Sequence, residues 1–167
     1  CGAKLVYYST DYVFDGKNGP YAEEAAPCPV SVYGKSKLRG EEAVQEILKD
    51  YLILRTTIVY GWDRRSKNFA MQVYERLQSG TPMQVAEEQV GNPTLVDYLA
   101  EASVRLVQQG VQGVVNVVGK DLLPRSEFGK ALARTFGLDP AMIVPVSTAA
   151  LKQRARRPLR GGLKVEK

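Results

Sequence analysis

The 167-residue chain contains no histidine, and that absence removes whole classes of chemistry. Ser-His-Asp and Cys-His triads are excluded, zinc loses its commonest partner, and any proton transfer falls to Tyr, Lys, Asp, Glu or Cys. Cysteine is nearly absent as well. Cys1 and Cys28 make neither a disulfide framework nor a ligand cluster, which points to a reducing, cytoplasmic setting and to no bound metal. No apolar run approaches the roughly 18 residues of a membrane span, and no signal-peptide pattern opens the chain, so no membrane partner is expected. Nor does any strand-like segment lead into G-x-G-x-x-G or G-x-x-G-x-x-G, the glycine turn that cradles a pyrophosphate at a helix N-terminus. The initiator Met is missing too, and the ends read as cut edges of a longer polypeptide.

What is present is the composition of a globular domain, with 44% hydrophobic and 25% charged residues, enough for a real core. The net charge of +5 is uneven: residues 148–167 carry seven Lys or Arg against one Glu. A basic tail suits a bound phosphate, simple solvation or nucleic acid. With a near-neutral body and no interleaved aromatics, nucleic acid is not expected.

The pattern alternates strand and helix. Residues 3–8 read as a strand and 9–30 as a polar loop rich in Gly, Pro and Asp. Ser31 caps a predicted helix running to about residue 48, on which Tyr33, Lys37, Gly40, Val44 and Ile47 share one face. Residues 51–60 read as one buried strand closed by Gly61. Strand, crossover helix and strand make a βαβ unit with parallel pairing. Further on, the sequence predicts a helix over 67–79, a strand at Met83–Ala86 and a capping box at Thr94 opening a helix to about 109. It then predicts a strand over 113–118, a helix capped by Ser126 through Phe136, and a strand at Ile143–Val146. The fold class is α/β.

Tyr33 and Lys37 stand four residues apart, so their side chains lie one above the other on the helix. An ammonium beside a phenol stabilises the phenolate, lowering a tyrosine pKa from about 10 and making a usable acid or base where histidine is missing. The spacing alone equally describes an amphipathic helix edge. Context favours chemistry. Ser9-Thr10-Asp11 sits where the first strand ends, the place ligands occupy in open α/β sheets, and a hydroxyl there can donate to a substrate oxygen. Taken by itself that tripeptide is a turn leaving the strand.

Together these segments carry a likeness. Residues Ser9 through Gly16, then Pro29 through Leu38 with Tyr33 and Lys37, then Glu41, resemble the extended short-chain dehydrogenase/reductase superfamily, most closely the dTDP-4-dehydrorhamnose reductase family. Leu54 through Gly61, Asn68-Phe69, Gln89 through Thr94, Arg157-Pro158 and Gly162-Leu163 are similar to that family's later segments, in order. The resemblance implies that Tyr33 protonates a carbonyl oxygen while Lys37 holds the nicotinamide ribose and tunes Tyr33. It implies that Thr10 hydrogen-bonds the substrate oxygen with Asp11 assisting, and that Thr57 and Ile58 lie beside the nicotinamide. Arg157, with Gln89 and Asn68, then faces the nucleotide or sugar. The implied cofactor is NADP or NAD. The implied substrate is a 4-keto-6-deoxy sugar on a nucleoside diphosphate, and a homodimer is compatible with it.

On this resemblance, residues 1–61 form the C-terminal part of a dinucleotide-binding Rossmann domain. Residues 62–167 are mainly a substrate-binding domain, some elements returning to the Rossmann sheet. Residues 1–167 alone are expected to turn over little, because cofactor binding energy positions the hydride. Two departures stand out: the family tends to carry tryptophan where Ile58 stands, and the loop Trp62-Asp63-Arg64-Arg65 has no clear counterpart and reads as solvated. Phe128, Leu132 and Phe136 read as a core stripe, Cys28 as a bystander, and Glu23-Glu24 and Glu41-Glu42 as solvated carboxylates. Two other functions keep the same motifs: a non-catalytic regulatory subunit like that of methionine adenosyltransferase, and an epimerase or dehydratase using Asp11.

Overall fold

Two tyrosines in the first strand set the layering. In Leu5–Thr10 (β1) the side chains alternate, so Tyr7 and Tyr8 face opposite ways. Tyr7 meets the helix Val32–Ile47 (α1), where a β-carbon on Gly40 would stand 2.1 Å from the Tyr7 hydroxyl. On the other face, the Tyr8 hydroxyl donates to Ser103 Oγ at 2.8 Å, on the helix Val96–Gln108 that becomes α3 in chain order. Between them, β1 pairs in parallel with Tyr51–Thr56 (β2), in register from Leu5 opposite Tyr51 to Thr10 opposite Thr56. Strand β2 pairs on its other edge with a later parallel strand, Gly113–Asn116. Central in this trio, β2 buries Leu52, Ile53 and Leu54 completely. The computed structural model that gives this architecture describes residues 3–165; Cys1 lies outside them.

The second layer system begins at Val59–Tyr60 (β3) and Phe69–Gln78 (α2). Met83–Ala86 (β4) pairs in parallel with Ile143–Val146 (β9). Val90–Gly91 (β5) pairs antiparallel with Leu123–Pro124 (β8), and β3 pairs with Thr94–Leu95 (β6); Gly113–Asn116 is thus β7. Helix α2 packs with Arg125–Thr135 (α4) over β4 and β9, around Phe69, Val73, Leu77, Val85, Phe128, Leu132 and Ile143. Burying such side chains is worth about 1.5–3 kcal/mol each. The mixed α/β class read from the sequence is the class observed, with parallel pairing in β1–β2–β7. Among the described residues no helix is long and apolar enough to cross a membrane.

Four expectations need correction. The strand expected over 51–60 breaks after Thr56, because Ile58 takes a left-handed φ of 46° and sends β3 to a different partner. A β-branched residue there is strained. Thr94 does not cap α3: its hydroxyl donates to the Asn92 carbonyl and accepts from Gly119 N, so the helix starts on Leu95 without a side-chain cap. Helix α4 begins at Arg125 after Pro124, which leaves Ser126 buried inside the helix rather than at its cap. Glu41 is not solvated. It is 1% exposed and takes a two-pronged ion pair from Arg55, through Nε at 3.0 Å and Nη2 at 2.7 Å. Glu23 likewise accepts from Asn116 N. The Ser31 cap is as expected, accepting from Gly34 N at 3.1 Å.

The C-terminal segment returns along the loop that follows β1. Gly19 N bonds the Arg160 carbonyl, Arg160 N the Gly16 carbonyl, and Tyr21 N the Gly162 carbonyl. Gly16 has φ 73°, and a β-carbon on it would stand 2.3 Å from Pro158. This stitching fixes the chain immediately after Arg157.

Candidate active site

Strand β1 ends at Thr10 and passes into a 3-10 turn, Asp11–Val13. Thr10 Oγ1 accepts from Tyr12 N at 3.3 Å, which closes the turn, and donates to Asp11 Oδ1 at 3.3 Å. Helix α1 starts beside that turn, capped by Ser31, so Tyr33 stands in its first turn. Thr10, Asp11, Tyr12, Ser31, Tyr33 and Arg157 line one cleft of about 360 Å³ with Thr57, Ile58 and Arg125. Tyr33 is 53% exposed and touches Tyr12 edge to face, with ring centroids 5.5 Å apart. Arg157 Nη1 donates to the Tyr12 hydroxyl at 2.8 Å. A larger groove, about 920 Å³, runs along α2, β4 and β9, and none of the expected site residues lines it.

Asp11 is built differently from its neighbours. Burial pushes its carboxyl above the usual value, with hydrogen bonds from Thr57, Gly162 N and Thr10 pulling the other way. Gly162 N donates to its Oδ2 at 3.3 Å, and a β-carbon on Gly161 would stand 2.5 Å from the same oxygen. The carboxyl is thus engaged with the C-terminal segment and with Thr57. Lys37, one turn along from Tyr33, holds its Nζ 4.6 Å from the Tyr7 ring centroid.

The structure gathers Thr10, Asp11, Tyr33, Thr57, Ile58 and Arg157 into the cleft, and leaves Lys37, Asn68 and Gln89 outside its lining. Asn68 is the cap of α2, accepting from Ala70 N and Met71 N and donating to the Gly61 carbonyl at 2.9 Å. Gln89 donates to Gln153 Oε1 at 3.0 Å, and its carbonyl accepts from Arg125 N at 2.8 Å. Arg64 and Arg65 are exposed, whereas Trp62 packs edge-on against Tyr74 at 4.9 Å. Sequence reading missed Arg125. With the helix expected to start after a Ser126 cap, Arg125 fell outside it, and only the fold brings it to the cleft as the first residue of α4.

A profile of the family described as RmlD substrate binding domain matches residues 1–167. A dTDP-4-dehydrorhamnose reductase of Mycobacterium tuberculosis (strain H37Rv) is 37% identical over 163 residues, covering 93% of this chain and 53% of the relative. Methionine adenosyltransferase 2 subunit beta of Danio rerio is 33% identical over 164 residues, covering 94% of this chain and 51% of the relative. The solved dTDP-4-dehydrorhamnose reductase of Bacillus anthracis str. Ames, in complex with NADP, superposes with a TM-score of 0.93 at 32% identity. The match covers 99% of this chain and 58% of that one. The chain spans about half the length of the curated relatives it matches. With the match running from residue 1 to residue 167, the chain belongs to the RmlD substrate binding domain family.

Proposed function

We propose that this chain is the catalytic and substrate-side part of a nicotinamide-dependent reductase acting on a 4-keto-6-deoxy sugar carried by a nucleoside diphosphate. The observation that carries the reading is the single cleft shared by Thr10, Tyr33 and Arg157 at the C-terminal end of parallel strands. The M. tuberculosis relative, named as a dTDP-4-dehydrorhamnose reductase, and the B. anthracis enzyme solved with NADP support it. On this reading residues 1–61 with α3 and β7 belong to the dinucleotide side, and most of 62–167 to the substrate side.

The residues present fit the nicotinamide-ribose end of NADP or NAD: a half-exposed phenol, an ammonium one helical turn away and hydroxyls at two strand ends. They include no glycine turn for its pyrophosphate. When bound, the cofactor supplies a hydride to the keto carbon. Tyr33 gives its phenolic proton to the carbonyl oxygen, so ketone plus hydride plus proton yields the alcohol. Thr10 donates a hydrogen bond to that oxygen as charge develops on it. Lys37, one helical turn from Tyr33, would hold the ribose hydroxyls, and Arg157 would bind toward the nucleotide. Because cofactor binding energy is needed to position the hydride, residues 1–167 alone turn over little.

The test is nicotinamide oxidation by the full-length polypeptide with keto sugar nucleotides. Tyr33→Phe is expected to lower kcat by about 10²–10⁴-fold. Undiminished turnover in that variant removes Tyr33 from the mechanism. The Danio rerio relative favours a second reading, a non-catalytic regulatory subunit on the same scaffold. A stable complex with an unrelated enzyme, together with no reductase activity, distinguishes it.

A further inference from the structure

Of the three residues expected to carry catalysis, Thr10 and Tyr33 line the cleft and Lys37 does not, and Tyr7 of β1 accounts for where Lys37 is. A lysine ammonium rides on a flexible stem, so at a helix edge it needs an anchor or is left to water. The carboxylate one turn further along α1, Glu41, is already taken by two nitrogens of Arg55 and by the Ser9 hydroxyl. Among the described residues the Lys37 ammonium enters no ion pair. Its Nζ stands instead 4.6 Å from the centroid of the Tyr7 ring, within the range over which a ring face attracts a cation.

Sequence and packing together build this seat. Tyr7 and Ser9 are two residues apart on β1, so both point at α1. The ring fits beneath the helix because residue 40 has no side chain: a β-carbon there would stand 2.1 Å from the Tyr7 hydroxyl oxygen and 2.6 Å from Cζ. Glycine weakens a helix interior, and in the middle of α1 it makes room for this ring. The Tyr7 hydroxyl also reaches the Lys37 carbonyl at 3.4 Å, a long hydrogen bond. One side chain thus touches both ends of Lys37. A ring face attracts a cation without fixing the direction of any N–H, so the ammonium keeps its donors for other acceptors.

We propose that Tyr7 is a positioning residue for Lys37: its ring holds the ammonium against β1, so that the ribose hydroxyls of a nicotinamide cofactor meet a lysine already ordered. The ribose part rests on the reductase reading. The hold on Lys37 stands on the ring contact and on the gap at Gly40. Tyr7→Leu fills part of that gap but offers no π face, and it leaves the stem to lose its rotamer freedom when the cofactor binds. Tyr7→Phe keeps the face and gives up only the long hydrogen bond.

The experiment is calorimetric titration of the full-length protein with NADPH and with NADH, for wild type, Tyr7→Leu, Tyr7→Phe, Lys37→Met and the double variant of Tyr7→Leu with Lys37→Met. For the cofactor that wild type binds, Tyr7→Leu should weaken affinity about two- to tenfold, and Tyr7→Phe should recover most of it. In the Lys37→Met background Tyr7→Leu should change nothing further, because the ring acts through the ammonium. Tyr7→Met, which also lacks a π face, carries the test if Tyr7→Leu does not fold. Unchanged affinity in a folded Tyr7→Leu protein, or an equal loss in both backgrounds, overturns the proposal and leaves the reductase reading standing. If wild type binds neither cofactor, the reductase reading falls, and the rate at which acetic anhydride modifies Lys37, read by mass spectrometry, decides the rest. A rise of about two- to tenfold in Tyr7→Leu but not in Tyr7→Phe sustains the hold of the ring, and equal rates overturn it.

Discussion

Gly34 lies against Tyr12 so closely that a β-carbon at position 34 would stand 2.1 Å from the Tyr12 carbonyl oxygen. The contact is backbone to backbone, between the first turn of α1 and the turn that follows β1. It therefore sets how near Tyr33 comes to Thr10. Neither carbonyl nor helix can yield as a flexible side chain would. Gly34→Ala is expected to push α1 outward, destabilising the fold by about 1–3 kcal/mol. In the full-length protein it should also cost turnover, since a displacement of about 1 Å can cost on the order of a hundredfold. Thermal unfolding and steady-state kinetics check the two effects; full kcat in the variant would show that the helix position is not what aligns the site.

The Arg55–Glu41 pair sits between β2 and α1, with Ser9 Oγ also bonded to Glu41 Oε1 and Arg55 Nη1 donating to the Glu23 carbonyl at 3.0 Å. Removing one charge leaves the other buried alone. Glu41→Leu is expected to destabilise by about 3–5 kcal/mol, whereas Glu41→Leu combined with Arg55→Met should recover much of that loss. Denaturant unfolding of the two singles and the double completes the cycle. Additive losses would mean that the two side chains do not depend on each other.

That ion pair also marks the limit of what the sequence could convey. Local periodicity announced α1, α2, β4 and β9, and the Ser31 cap, because each is decided within a few residues. Glu41 and Arg55 lie on different elements, and only the packing of α1 on β2 brings them together, so Glu41 resembled any solvated acid on a helix. The same holds for Thr94, which satisfies Gly119 N from 25 residues away instead of capping its own helix. Ile58 was an unlikely break point because a β-branched residue rarely takes φ near 46°. At the cleft, the strand end and the tyrosine of α1 were legible, while Arg125 needed three-dimensional proximity to be noticed.

Asn116 ties three segments together at the end of β7. Its amide nitrogen donates to the Tyr21 carbonyl at 3.1 Å and to the Lys164 carbonyl at 3.0 Å, and its backbone N–H to Glu23. It is 5% exposed, so water cannot readily replace these bonds. Asn116→Ala is expected to cost about 1–3 kcal/mol for the two side-chain hydrogen bonds lost from a buried position. Hydrogen exchange should speed up at Tyr21 and Lys164, whose N–H groups belong to the same stitching. Unchanged exchange at those two amides would show that the strand-like pairing holds the segment without Asn116.

Asp11 gives a pH dependence whose sign runs opposite to that of a surface carboxylate. Burial raises its folded pKa above the ordinary 3.8, so between 3.8 and that raised value the folded chain holds the proton more firmly than the unfolded one. Through this window stability falls as pH rises; below 3.8 both states are protonated and the contribution is constant, and above the raised value the full cost of a buried carboxylate remains. The substitution Asp11→Asn keeps an oxygen for Gly162 N and turns an NH₂ toward the hydroxyls of Thr10 and Thr57, with no charge to bury. That variant should therefore gain stability relative to the wild type as pH increases across the window, and hold a constant advantage beyond it. Urea unfolding of both proteins at a series of pH values measures the difference directly. A difference that stays flat from pH 3.8 upward would mean the carboxyl is as well solvated in the folded chain as in the unfolded one.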